Sequence, residues 1–269
     1  MSGIWKKTNK IYDLCGKDST YFFSYWNENF RLEILRLLKE KEVIDKSFED
    51  LENIHKYVID KDLLDYDFNS GVNGITKKLY DVDKSFMDVY HSFLKDLHKM
   101  FGFNFYFQDT PTIRVHCPNS DKDNHYPMFH NDIILGHPPQ EINVWMSLTK
   151  NKNTGFWIMS KNDSNKIMSE NTKKKIFDLA HGSQKFNQEC LNLSKQVEST
   201  LDYLFLFNSV RIHSAMQRDK DTRLSMDIRI NPVDGFEDGY VGTGMTKAEF
   251  RPGGKFGYHK SSIRDLIDV

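Results

Sequence analysis

Arg223-Leu224-Ser225-Met226-Asp227-Ile228-Arg229-Ile230 decides the fold class of this chain. Leu224, Met226, Ile228 and Ile230 alternate with Arg223, Ser225, Asp227 and Arg229. Side chains two apart share one face of a strand, so the stretch predicts a β-strand with one apolar face. Shorter segments upstream have the same texture: Phe103–Phe107, Thr112–Cys117, Tyr126–Ile134, Ile142–Leu148, Gly155–Ser160, Tyr203–Phe207 and Val210–Ala215. Pro118-Asn119-Ser120, Pro138-Pro139 and Asn151–Thr154 supply turn signals between them. Short strands in this number and spacing predict a sandwich or barrel.

The chain before residue 103 has a different period. Phe22, Phe23, Trp26, Phe30, Ile34, Leu35 and Leu38 predict a helix over Tyr21–Lys41. Leu79, Val82, Phe86, Val89, Tyr90, Phe93, Leu94 and Leu97 predict a second over Leu79–Met100. Asp81 and Asp83 suit its start, Lys95, His98 and Lys99 its end, and Gly102 its stop. Such stripes pack a core. The polar stretch 161–200 reads as an insertion between two strands, with helices over Asn171–Ala180 and Lys185–Val197. The organisation expected over 1–269 is one domain. It comprises a helical support region (1–102), a β core (103–256) holding the 161–200 insert, and a C-terminal tail (257–269).

Composition excludes several classes. The chain has 269 residues, 39% hydrophobic and 13% aromatic, enough for a sizeable core. With 37 basic and 38 acidic residues the net charge is -1, so neither nucleic acid nor an anionic membrane is an expected partner. No apolar run is long enough to span a bilayer, and Met1–Lys10 has no signal-like core. Cys15, Cys117 and Cys190 are scattered, odd in number and form no CxxC pair, which fits core residues in a reducing compartment. A cytoplasmic location is expected.

Chemistry concentrates at the strands. Phe129-His130-Asn131-Asp132 and Ser209-Val210-Arg211-Ile212-His213 offer two imidazoles and one carboxylate, and Arg223 stands ten residues past His213. Such a trio on a rigid sheet can hold one face of a metal and leave the other open. His-x-Asp alone is weak: with 10 histidines it is expected about once by chance. The surroundings add weight, because a carboxylate among apolar strand residues must be paired, hydrogen-bonded or metal-bound. His125 would face the opposite side of its strand and makes a poor ligand. Arg218 competes with Arg223 but lies in the polar loop Gln217–Asp221. Gly253-Gly254-Lys255 lacks the rest of a phosphate loop.

Taken in order, these residues resemble the Fe(II)/2-oxoglutarate-dependent dioxygenase superfamily. The stretch His130-Asn131-Asp132, Gly136-His137-Pro138-Pro139 and Ile142–Thr149 is similar to bacterial hydroxylases of the phytanoyl-CoA-hydroxylase and streptomycin-biosynthesis-oxygenase kind. Phe250-Arg251-Pro252-Gly253-Gly254 adds a weaker likeness, and the whole resemblance runs over roughly 112–256. It implies a mostly β fold, a double-stranded β-helix (jelly roll) with a helical N-terminal layer. It implies Fe(II) held by His130, Asp132 and His213, 2-oxoglutarate as co-substrate, and O2. Arg223 would pair with the distal carboxylate of 2-oxoglutarate, Ser225 could add a hydrogen bond from the same strand face, and Asn143 could hydrogen-bond 2-oxoglutarate or a ligand histidine. Arg114 and His137 are candidate contacts to a small-molecule substrate. The implied reaction hydroxylates a C–H bond of a small polar metabolite (a sugar, an amino-acid derivative or a natural-product intermediate) and yields succinate and CO2. Asp132 matters for outcome, since family members that halogenate replace this carboxylate by a small residue. Two alternatives stand beside this: a cupin-like metal enzyme that does not use 2-oxoglutarate, although no HxH pair is present, and a non-catalytic jelly-roll binding module.

Overall fold

The structure is a computed structural model that describes residues 21–67, 72–118, 129–135, 137, 141–150, 155–170, 178–179, 183–215, 220–232 and 263–267. In chain order its strands are β1 (Tyr21–Phe23), β2 (Tyr66–Asp67), β3 (Val72–Asn73), β4 (Phe105–Phe107), β5 (Thr112–His116) and β6 (Ile142–Ser147). They continue with β7 (Phe156–Met159), β8 (Ser194–Val197), β9 (Tyr203–Asn208), β10 (His213–Ser214) and β11 (Arg223–Pro232). The α-helices are α1 (Trp26–Glu40), α2 (Ile54–Tyr57), α3 (Gly74–Lys78), α4 (Lys84–Phe101), α5 (Lys161–Glu170), α6 (Gln184–Leu193) and α7 (Ile263–Ile267). None of these helices is long and apolar enough to cross a membrane.

The larger sheet runs β1-β9-β6-β11-β4, with β5 also paired to β11, and every pairing is antiparallel. The smaller sheet runs β10-β7-β8. An antiparallel bridge between His130 and His213 adds the 129–130 segment to its edge. Alternation sends each strand's side chains two ways. Leu224, Met226, Ile228 and Ile230 of β11, with Ile142, Val144 and Met146 of β6, join the core formed with the helices. Trp145 of β6 and Phe205 and Phe207 of β9 point the other way, onto Phe156, Ile158 and Val197 of the smaller sheet. Two antiparallel sheets therefore face each other, and the helices back the larger one.

Helix α4 illustrates how the sequence sets a boundary. The Asp83 side chain accepts from Phe86 N at 3.0 Å, capping the first turn. Gly102, at φ 69, adopts the left-handed conformation that ends it. Phe86, Tyr90, Phe93, Leu94 and Leu97 form its buried stripe. The expected start at Leu79 is thus too early, because the cap lies at Asp83.

Other expectations need correction. Tyr21–Phe23 forms the edge strand β1 against β9 rather than the start of a helix. The aromatic side chains suit a pleated surface, and Ser24 N donates to Asp202 O before α1 begins. The helix expected over Lys185–Val197 ends at Leu193, and Ser194–Val197 becomes β8 of the smaller sheet. Within the 161–200 stretch, Val197 packs between the sheets. Residues 161–170 form a helix, α5, that the sequence reading does not anticipate. The strand expected through Ile134 stops early, and Asp132–Leu135 is a 3-10 turn. Val210–Ala215 shrinks to the two residues of β10. Within the expected tail, Ile263 of α7 is buried in the main core. Cys117 also lies in that core, and burial pushes the Cys190 thiol up to about 12, so neither is a poised nucleophile. Residues 171–177 and 250–254, together with Cys15, His125 and Arg218, lie outside the described residues.

Candidate metal centre

His130 and His213 come together through backbone pairing. His130 N donates to His213 O at 3.0 Å and His213 N donates to His130 O at 2.7 Å. Residues opposed in this way carry their side chains on one side of the ladder, and the two ring centroids lie 4.6 Å apart. Asp132 follows two residues after His130, where its N donates to Ser209 O at 3.1 Å and the chain turns. One ligand atom from each of His130, Asp132 and His213 lies within 4.8 Å of the others. Metal–ligand bonds of about 2 Å would draw them in by modest side-chain rotation.

The chemistry of these groups fits a divalent ion. His213 Nδ1 is 3.0 Å from Arg211 O. A carbonyl only accepts, so Nδ1 carries the proton and Nε2 keeps its lone pair. Burial pushes His213 below its ordinary value, which also favours the neutral ring. Burial alone would raise the Asp132 carboxyl. Arg229 and the surrounding histidines outweigh it and hold the group well below the usual carboxylate range. Asp132 is therefore an anion beside neutral imidazole, the protonation a metal requires.

The inward face of β11 supplies the rest. Arg223, only 2% exposed, donates from Nη1 to Gly155 O at 3.0 Å and to Ala215 O at 3.3 Å. Its guanidinium thus lies between the start of β7 and the end of β10, close to the strand that carries His213. Gly155 is closely fitted here, since a Cβ on it would lie 1.5 Å from Val197 O. Ser225 is buried on the same face, opposite Ser147 and Arg114 in the register. His116 pairs with Arg223 across β5, and burial, then Arg223 and Arg114, hold its ring neutral. Phe156 and Phe207 stack edge-on against His213, with centroids at 6.3 and 5.0 Å.

The other expected contacts have the following places. Asn143 Nδ2 donates to Asp132 Oδ2 at 2.7 Å. His137 Nδ1 donates to Glu141 Oε2 at 3.0 Å. Arg114 Nε stands 3.8 Å from Asp227 Oδ1. Trp145 packs edge-on against Phe156 as a wall of the interior.

Sequence reasoning missed Arg229, Glu141 and Asp227. Arg229 Nη2 lies 3.4 Å from Asp132 Oδ1, Nη1 donates to Asp227 Oδ2 at 3.2 Å, and Nε is 3.2 Å from Glu141 Oε1. The Glu141 contact is one of charge rather than an aligned hydrogen bond. Glu141 is fully buried. Burial raises its carboxyl, and His137 and Arg229 offset that only in part. The available signal was the polar set of the alternating strand, which reads as a solvent face but is turned toward the smaller sheet.

No protein-family model matches the chain, and no curated protein matches it. Among solved structures it is similar to the non-heme alpha ketoglutarate dependent epimerase SnoN from nogalamycin biosynthesis. That likeness has 9% identity and a TM-score of 0.42, over 89% of this chain and 91% of the other. It is also similar to the non-heme alpha ketoglutarate dependent carbocyclase SnoK from the same biosynthesis, at 11% identity and a TM-score of 0.41, over 87% and 88%. Likeness at this level leaves the chemistry to be read from the residues.

Proposed function

We propose that this chain is a non-haem Fe(II)/2-oxoglutarate-dependent oxygenase of the double-stranded β-helix kind that hydroxylates a small polar metabolite. The observation that carries the reading is the convergence of His130, Asp132 and His213 within 4.8 Å, with buried Arg223 donating to Ala215 O, two residues past His213. Two imidazoles and one carboxylate on one side of an ion leave its other side open, the pattern of non-haem Fe(II) oxygenases. Bound iron would supply the centre at which 2-oxoglutarate chelates and O2 is reduced, with succinate and CO2 as co-products.

The chain's own residues have separable tasks. His130, Asp132 and His213 hold the ion. Arg223 is a buried cation whose planar fork suits the distal carboxylate of 2-oxoglutarate, and Ser225 offers a hydroxyl on the same strand face. Phe156 and Phe207 pack edge-on against His213, and Trp145 packs on Phe156, an apolar wall beside the centre. Arg114 and Asp227 present both signs of charge to a substrate. Because Asp132 fills the carboxylate position, no place is left for a halide ligand, and the ligand set favours hydroxylation, or a related desaturation or ring closure, over halogenation.

Anaerobic titration of the purified protein with Fe(II) and 2-oxoglutarate, followed by visible absorption, tests the reading. A weak charge-transfer band that needs both components is expected. Iron bound without that band would point to a cupin-like metal enzyme. A folded protein that binds no iron would point to a non-catalytic jelly-roll module.

A further inference from the structure

Arg229 is at the centre of a closed ring. Its Nη2 meets Asp132 Oδ1 and its Nε faces Glu141 Oε1. Glu141 Oε2 accepts from His137 Nδ1, and His137 N donates back to Asp132 O at 3.1 Å. The ring ties three pieces of chain together: the 132–137 turn, the entry to β6 and the strand β11. Asn143 lies opposite Arg229 in the β6–β11 register and grips the other oxygen of Asp132. Arg229 is held at both ends, because its backbone N donates to Gln108 Oε1 at 3.0 Å and its guanidinium Nη1 donates to Asp227 Oδ2 at 3.2 Å.

A guanidinium buried this far costs much desolvation, and an apolar residue of similar volume would fill the space more cheaply. Arg229 is already engaged by three carboxylates: those of Asp132, Glu141 and Asp227. It is therefore poorly placed to receive a co-substrate and well placed to fix a ligand. Together Arg229 and Asn143 contact both oxygens of Asp132 and restrict its rotation.

We propose that Arg229 is a positioning residue that holds the Asp132 carboxylate in its metal-binding orientation through the ring Arg229–Glu141–His137. The proposal rests on the metal-centre reading above and adds a role that the three ligands do not contain. Partners of this kind change metal affinity by roughly 10–100-fold when removed.

Co(II) is the probe, because its visible bands report coordination geometry without turnover. The full chain, Arg229→Gln, Arg229→Lys and Glu141→Gln would be titrated with Co(II), with dissociation constants taken by chelator competition. Arg229→Gln is expected to weaken Co(II) binding about 10–100-fold and to shift the bands. Arg229→Lys should restore the band positions in part. Glu141→Gln, nearly isosteric, should shift the same bands less, and it decides the matter if Arg229→Gln does not fold. Bands unmoved in the folded variants would overturn the proposal. Tighter Co(II) binding with unmoved bands would do the same, since Arg229 would then act only as a repelling charge. Failure of the unsubstituted chain to bind Co(II) would instead overturn the metal-centre reading, and this proposal with it.

Discussion

The two faces of β11 are both shielded from water, yet they are built from opposite chemistry. Leu224, Met226, Ile228 and Ile230 on one face are fully buried against the helical layer. Arg223, Ser225, Asp227, Arg229 and Asn231 on the other face the smaller sheet, and Arg223, Ser225 and Asn231 are at most 2% exposed. Apolar burial favours folding by about 25 cal/mol per Å². Burying arginine and aspartate costs free energy unless each is paired. The first face therefore explains why the strand exists. The second persists despite its cost, which is the mark of a site.

That contrast can be broken by experiment. The largest effect is expected at Asp132→Ala, which removes the carboxylate of the ligand trio. Iron affinity measured by equilibrium dialysis should fall more than about 100-fold, beyond the loss typical of outer partners, while far-ultraviolet circular dichroism stays that of the folded chain. Unimpaired iron binding would remove Asp132 from the ligand set. Next comes Arg223→Ala, expected to cost about 2–5 kcal/mol in 2-oxoglutarate binding and far more than Arg218→Ala. The charge-transfer band titrated with 2-oxoglutarate reads this directly, and a greater loss in Arg218→Ala would move the co-substrate site to the other arginine. The smallest effect is on the opposite face. Ile228→Val should lower unfolding free energy by about 0.5–1.5 kcal/mol in urea melts and leave iron affinity where it was. A matching fall in iron affinity would mean that the two faces are not independent.

The same contrast explains what could be read in advance. The alternation of β11 was legible because four apolar residues at period two admit few other structures. His130, Asp132 and His213 could be singled out as a group because side chains that bind metals are few in type, and the structure brings them within 4.8 Å of one another. Arg223 could be singled out by its place at the start of the strand. Arg229 and Glu141 were not legible, since a polar residue on an alternating strand looks the same whether it meets water or a second sheet. Only the pairing of β10, β7 and β8 across from β11 turns that face inward. The strand β8 was hidden for a related reason. Ser194-Lys195-Gln196-Val197 has one apolar residue, and its conformation comes from its pairing with β7 rather than from its own composition.

Gly155 carries one more consequence. Its Cα sits so near Val197 O that any side chain would collide with the neighbouring strand, and its own carbonyl receives Arg223. The position offers no freedom to mutation: even alanine must push β7 and β8 apart and move the carbonyl that Arg223 leans on. The seam between β7 and β8 therefore fixes the place of the carbonyl that holds Arg223.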